Sequence, residues 1–279
     1  MRIKPQFIAI LVFLCSVQLF SQNKLDSSKK DLNSSSASSS GSGSTSNSSS
    51  KESSEVDDEE LGFFAKVFFD VTFGVFKYGL IGDYKNEDHL HSSLTPYPYY
   101  NFESGNYRNV EDSIVDYRLR FDVSAKFVYN DNNLFGSHLK GKVRVFQYCS
   151  IQTDYHQLFE FNKLKNTTDR LALFYFNVAY DRIRFEKFNL GWTMGVSYVG
   201  NEVRKGGFSY GLSTEYFMSN HISFAAAIKW SQVNSQPVNA FELESRYHKK
   251  RGFFSIGYER LKIGTPSYNF VTLGTGIYF

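Results

Sequence analysis

Hydrophobic and polar residues alternate along the C-terminal two-thirds of this chain. In "IVDYRLRFDVSAKFVY" every odd position is apolar: Val115, Tyr117, Leu119, Phe121, Val123, Ala125, Phe127 and Tyr129. The even positions read Asp116, Arg118, Arg120, Asp122, Ser124, Lys126 and Val128. A period of two belongs to a strand and not to a helix. The pattern returns in "LGWTMGVSY", "GFSYGLSTEYFM", "HISFAAAIKW", "FELESRYH" and "FFSIGYERL", and again in the closing "VTLGTGIYF". Turn signals separate these runs, among them "NEVRKGG", "NSQP", "HKKRG" and "GTPS".

The spacing predicts an all-β antiparallel meander over 114–279, with ten strands, or eight on a stricter reading. The tenth strand comes either from "YHQLFEFNK" (155–163) or from an apolar segment upstream. That segment, "LGFFAKVFFDVTFGVFKYGL" (within 61–81), fits two periods. At 100° per residue Lys66, Asp70 and Lys77 share a narrow stripe; at 180° Phe63, Ala65, Val67, Phe69, Val71, Phe73 and Val75 share a face. An amphipathic helix is the favoured expectation. The two prolines of "SSLTPYPYYNFESGNY" predict an extended loop over 82–113.

The first residues read differently. Arg2 and Lys4 precede a short apolar run, Phe7 to Leu14, and small Ser21 offers a cleavage edge, as in a secretory signal peptide over 1–21. Residues 22–60 hold "NSSSASSSGSGSTSNSSS" and the acidic "ESSEVDDEE", a low-complexity tract expected to be a disordered linker. With the signal removed, Cys149 has no cysteine partner, so no internal disulfide is expected.

Alternation fits a soluble sandwich as well as a membrane barrel, and composition helps to decide. The chain is 42% hydrophobic and 18% aromatic, with 28 Phe and 19 Tyr, yet its mean hydropathy of -0.35 excludes a bundle of membrane helices. The strands are long enough to cross a tilted bilayer. Their polar faces mix charges with Gly191, Gly195, Gly211, Ala225, Ala227 and Gly257, which suits a narrow lumen. Trp192, Trp230 and many tyrosines suit aromatic girdles. These features favour a transmembrane barrel.

The final strand strengthens that reading. Val271, Leu273, Ile277 and the terminal Phe279 resemble the C-terminal signature of bacterial outer-membrane β-barrel proteins, and Ser21-Gln22 resembles the processing edge of Bacteroidetes-type barrels. The resemblance implies export to the outer membrane of a Gram-negative cell. It also implies insertion by barrel-assembly machinery that reads the last strand, and contact with the bilayer and lipopolysaccharide. The chain departs from the OmpA type by its Ser-rich tail and by lacking a C-terminal peptidoglycan-binding domain.

The even face then becomes the lumen. It is expected to carry Asp116, Arg118, Arg120, Asp122, Lys126, Lys140, Lys142, Arg144, Glu215, Lys229, Glu242, Glu244, Arg246 and Glu259. Both signs are interspersed, so an ion-pair network filling the lumen is expected, the alternative being a narrow charge-lined channel. The net charge of +3 gives no basis for nucleic-acid binding. His89 and His91 read as loop histidines, while His138, His156, His221 and His248 stand alone in sequence without a nucleophile motif. No catalytic residue, cofactor or metal site is therefore expected. A lipid-modifying enzyme is the remaining alternative.

Overall fold

The computed structural model describes residues 24–34, 75–102, 105–108, 119–131, 133–162, 166–218 and 221–279. The signal segment 1–21, most of the Ser-rich tract, residues 61–74, and Asp116 and Arg118 lie outside them.

Ten strands form one closed antiparallel barrel: β3 (Arg120–Asp131), β4 (Leu134–Arg144), β5 (Cys149–Asn162), β6 (Thr167–Arg184), β7 (Phe188–Val199), β8 (Lys205–Phe217), β9 (Ile222–Val233), β10 (Gln236–Lys249), β11 (Gly252–Ile263) and β12 (Ser267–Tyr278). Each strand pairs with its chain neighbour, and β12 closes on β3 from Val271↔Tyr129 to Tyr278↔Asp122. Reciprocal Phe121–Phe279 backbone bonds of 3.1 and 2.8 Å end that seam. The question of the tenth strand resolves in favour of the segment around Tyr155, which belongs to β5. A typical 12-residue strand, tilted as barrel strands are, spans about 30 Å, the thickness of a hydrocarbon core.

Local chemistry sets the turns. Asn234 and Ser235 link β9 to β10 with φ of 51° and 64°, the pairing of left-handed residues that a two-residue hairpin requires. A bulge between Asp181 and Ile183 shifts the β6–β7 register. It frees Arg182 for the segment outside the barrel, while Arg184 bonds Asp181 and Leu90 carbonyls at the mouth.

The tail differs from expectation. Lys24–Ser34, placed in the disordered linker by its composition, is a helix, α1. Leu25, Ser28, Lys29 and Leu32 form its buried stripe. Leu25 and Leu32 insert among inward-facing Val128, Leu158, Leu171, Leu261 and Phe270, plugging the mouth that carries the β9–β10 turn. Two apolar residues in eleven are a weak signal by themselves; the apolar mouth supplies what they need.

At the opposite mouth, where β3 begins and β12 ends, the upstream segment is tied to the lumen by Thr95, Asn106 and Tyr107, which bond Arg120, Glu215 and Asp181. Val75–Ile81 is one π-helical turn on the outer wall, where Leu80 and Ile81 carbonyls accept from Trp192 Nε1 and the Tyr180 hydroxyl. The stretch read as a plain loop contains two 3₁₀ turns and a minimal hairpin, β1 (Ser93–Leu94) and β2 (Tyr107–Arg108).

Candidate functional site: the charged lumen

Alternation along each strand sends one set of side chains out and the other in. Outside, Leu273 is 65% exposed, Phe254 64% and Ile256 59%. Inside, Lys126 is 4% exposed, Glu242 2% and Glu259 1%. Among the described residues the charged side chains of the outer wall, Arg170, Arg182, Lys249, Arg260 and Lys262, fall toward strand ends. A closed sheet with a greasy exterior and ionised interior has its stable solvent in a bilayer. The chain is a membrane-spanning β-barrel.

The lumen is layered. Next to the mouth where β3 begins, Arg120 holds Asp122 with two bonds of 2.7 and 2.9 Å. Asp181 accepts from the Tyr107 hydroxyl at 2.5 Å and from Arg144 at 2.6 Å. Burial pushes the Tyr107 phenol well above its ordinary range, which keeps it protonated as a donor. Arg246 binds Glu215 and Glu244, each at 3.0 Å, and Lys142 lies 3.7 Å from Asp181.

At mid-height Lys126 bridges Glu242 at 2.8 Å and Glu244 at 2.5 Å. Lys140 reaches Glu242 at 2.8 Å, and Lys229 reaches Asp154 at 2.7 Å. Above this layer lie His138, His156 and Glu259, followed by the apolar layer under α1. Glu160, itself 1% exposed, accepts the backbone N–H groups of Lys24 and Leu25 at 3.0 and 2.7 Å, a carboxylate at a helix N-terminus.

The structure thus brings together Arg120, Asp122, Lys126, Lys140, Lys142, Arg144, Glu215, Lys229, Glu242, Glu244, Arg246 and Glu259, all directed inward. Val271, Leu273, Ile277 and Phe279 all point outward on or just beyond β12. Asp154, Asp181, His138 and His156 were not anticipated as members of the network. The only signal for the histidines is positional: hairpin register puts His138 opposite His156.

A second unanticipated pair lies at the mouth where β3 begins and β12 ends, where Ser223 Oγ and His248 Nε2 are 2.8 Å apart. The other ring nitrogen of His248 is 3.5 Å from the Tyr278 hydroxyl, and Tyr99 packs over the ring. Ser223 also donates to Glu215 at 3.2 Å. Both members are buried, and the partner of the imidazole is a phenol at the limit of hydrogen bonding, so this pair lacks the carboxylate that orients a hydrolytic histidine.

A cavity of about 140 Å³ remains within the network, room for several waters, lined in part by Lys142, Thr193, Ser213 and Ala227. A rim cleft of about 300 Å³ beside Pro96 shares Arg120 and Tyr278 with it.

No family model matches the chain, and no curated protein matches it. Solved structures with similar folds include an outer membrane channel from Pseudomonas putida F1, at 9% identity and a TM-score of 0.34, covering 61% of this chain and 100% of that one. They also include LpxR from Salmonella typhimurium, at 7% identity and a TM-score of 0.36 over 57% of this chain and 100% of that one. The outer membrane protein Ail of Yersinia pestis aligns at 13% identity and a TM-score of 0.33, over 58% and 100%. The assignment to membrane barrels rests on the closed, apolar-walled sheet described above.

Proposed function

We propose that this protein is a non-enzymatic, non-conducting outer-membrane barrel that serves as a rigid structural or surface-exposed element. One observation carries the reading: six lumen carboxylates, Asp122, Asp154, Asp181, Glu215, Glu242 and Glu244, each have a Lys or Arg nitrogen within 3.0 Å. Charges spent on one another leave little field for passing ions, and an eight- to ten-stranded interior has little room beyond its side chains. The N-terminal segments reach into both mouths. Bilayer lipid and lipopolysaccharide are the partners that suit the outer wall, and the assembly machinery suits the terminal strand.

Planar-bilayer recording of the purified full chain tests the proposal. Electrically silent membranes are the expected result, and steady unitary current steps refute it. A narrow channel is the second reading, favoured by the cavity and rim cleft that meet at Arg120 and Tyr278. It predicts steady unitary current steps from the full chain, made larger by removing residues 75–108.

A further inference from the structure

His138 lies on β4, His156 on the neighbouring β5, and Glu259 across the lumen on β11. All three are at most 1% exposed. Glu259 offers one oxygen to His138 Nδ1 at 3.0 Å and the other to His156 Nε2 at 2.6 Å. The rings stack with centroids 3.6 Å apart, and the three donor atoms lie within 4.8 Å of one another. Whereas Asp122, Asp154, Asp181, Glu215, Glu242 and Glu244 are held by lysine or arginine, the ionisable side chains in direct contact with Glu259 among the described residues are both imidazoles. A buried carboxylate without a firm positive partner is costly. Something cationic belongs beside it.

We propose that His138, His156 and Glu259 form a three-ligand site for a first-row divalent cation, with zinc the best match. Two imidazole nitrogens and one carboxylate are a donor set suited to zinc, cobalt, nickel or copper, and poorly suited to calcium or magnesium. Ligands about 2.0–2.1 Å from a tetrahedral ion stand about 3.3 Å apart. The 3.0 and 2.6 Å contacts fall on the two oxygens of one carboxylate and all donor atoms lie within 4.8 Å, so an ion held by both oxygens or by one needs the stacked imidazoles to swing apart until their lone pairs converge on it.

The second nitrogen of His138 gives independent support. Its Nε2 faces Asp154 Oδ1 at 3.3 Å, so an Nε2–H donated there leaves the Nδ1 lone pair directed at the site. A carboxylate behind a ligating histidine fixes the tautomer and raises its basicity. Asp154 is anchored in turn by Lys229, and Lys126 and Lys140 bind Glu242, so the nearby ammonium groups leave both Glu259 oxygens to the imidazoles. With both mouths occupied, the ion would enter as the barrel folds. This site departs from the sequence expectation of no metal, because strand register and closure assemble it from residues distant in the chain.

The test is to refold the full chain in detergent with Zn²⁺ or Co²⁺, desalt it, and measure metal per heat-modifiable, folded protein. The expected result is about one equivalent retained, with ligand-field bands of the Co²⁺ form unlike those of the hydrated ion. His156→Ala and Glu259→Gln should retain at least about tenfold less, and Asp154→Asn should weaken retention by about 10–100-fold. Negligible retention by folded wild type overturns the proposal, even where a variant fails to fold. So do retention unchanged in both ligand variants and ¹⁵N imidazole shifts showing His138 protonated on both nitrogens, which assign the cation to imidazolium. Bilayer recordings are a separate readout, so failure of the metal site leaves the closed-barrel proposal to its own test.

Discussion

Lys126→Met gives the closed-lumen reading a quantitative test. The ammonium is shared by Glu242 at 2.8 Å and Glu244 at 2.5 Å, with its side chain and both carboxylates almost completely buried. Methionine keeps the stem as far as Cε and removes the ammonium group. Two charge-assisted bonds are lost, each contributing about 1.5–3 kcal/mol. Neither carboxylate is left without a partner, since Glu242 keeps Lys140 at 2.8 Å and Glu244 keeps Arg246 at 3.0 Å. The expected loss is therefore about 3 kcal/mol, at the lower edge of the cost of breaking a buried pair. Adding Glu242→Gln removes the surplus negative charge and should recover about 1–2 kcal/mol, a coupling that a double-mutant cycle reads directly. Equilibrium urea unfolding in lipid vesicles, followed by emission of Trp192 and Trp230, measures both. A loss below about 0.5 kcal/mol in the single variant refutes the argument, because it places Lys126 in bulk-like water and the lumen in an open state.

Other parts of the barrel make separate predictions. Leu273→Lys puts a charge on the exposed middle of β12 and should destabilise the barrel in vesicles by about 2–4 kcal/mol; an effect near zero excludes a lipid-facing position. Glu160→Gln removes the anion at the N-terminus of α1 and should weaken helix docking by about 1–2 kcal/mol, read as faster tryptic cleavage after Lys24, Lys29 or Lys30 while the barrel core survives. Unchanged cleavage refutes the docking. Hydrogen bonding from Arg182, followed by the Asp83 N–H, holds the Glu87 carboxyl down from 4.5 to about 2. A lowered carboxyl contributes its full anchoring above pH 4.5 and loses it as the pH falls toward 2. Hydrogen exchange in residues 82–94 should accordingly rise over that window in wild type, and Arg182→Gln should abolish the pH dependence; a flat wild-type profile counts against the Arg182 clamp.

What could be read from the chain, and what could not, divides along a physical line. Which face a strand residue occupies depends on a period of two, a property of the nearest neighbours, so the inward charges of β3, β4, β10 and β11 and the outward Val271, Leu273, Ile277 and Phe279 are legible in the letters alone. Which inward residues meet depends on hairpin register, strand stagger and closure, and these come from the whole sheet. Lys126 and Glu244 are neighbours across 118 positions, and His138 and Glu259 across 121. Asp181 is harder still to find, since a bulge beside it breaks the alternation and composition gives Tyr107 no reason to lie above it.

The same line explains α1. Its eleven residues, KLDSSKKDLNS, match the polarity of the tract that follows, and the two leucines acquire meaning only beside an apolar mouth assembled from nine strands, β3 to β6 and β7, β9, β10, β11 and β12. Burial of those leucines and the ionic closure of the lumen are therefore consequences of one event, closure of β12 on β3. Before it, Lys126 faces water and Glu242 has no fixed partner; after it, hydration is withdrawn from both together. The seam residues Phe121 and Phe279 should then govern the network as strongly as the charges themselves. Deleting Phe279 removes the reciprocal 2.8 and 3.1 Å bonds to Phe121 at one end of the seam. That change should lower the stability of wild type more than that of Lys126→Met, in which part of the lumen network is already lost. Equal losses in the two backgrounds would show that seam and network are independent.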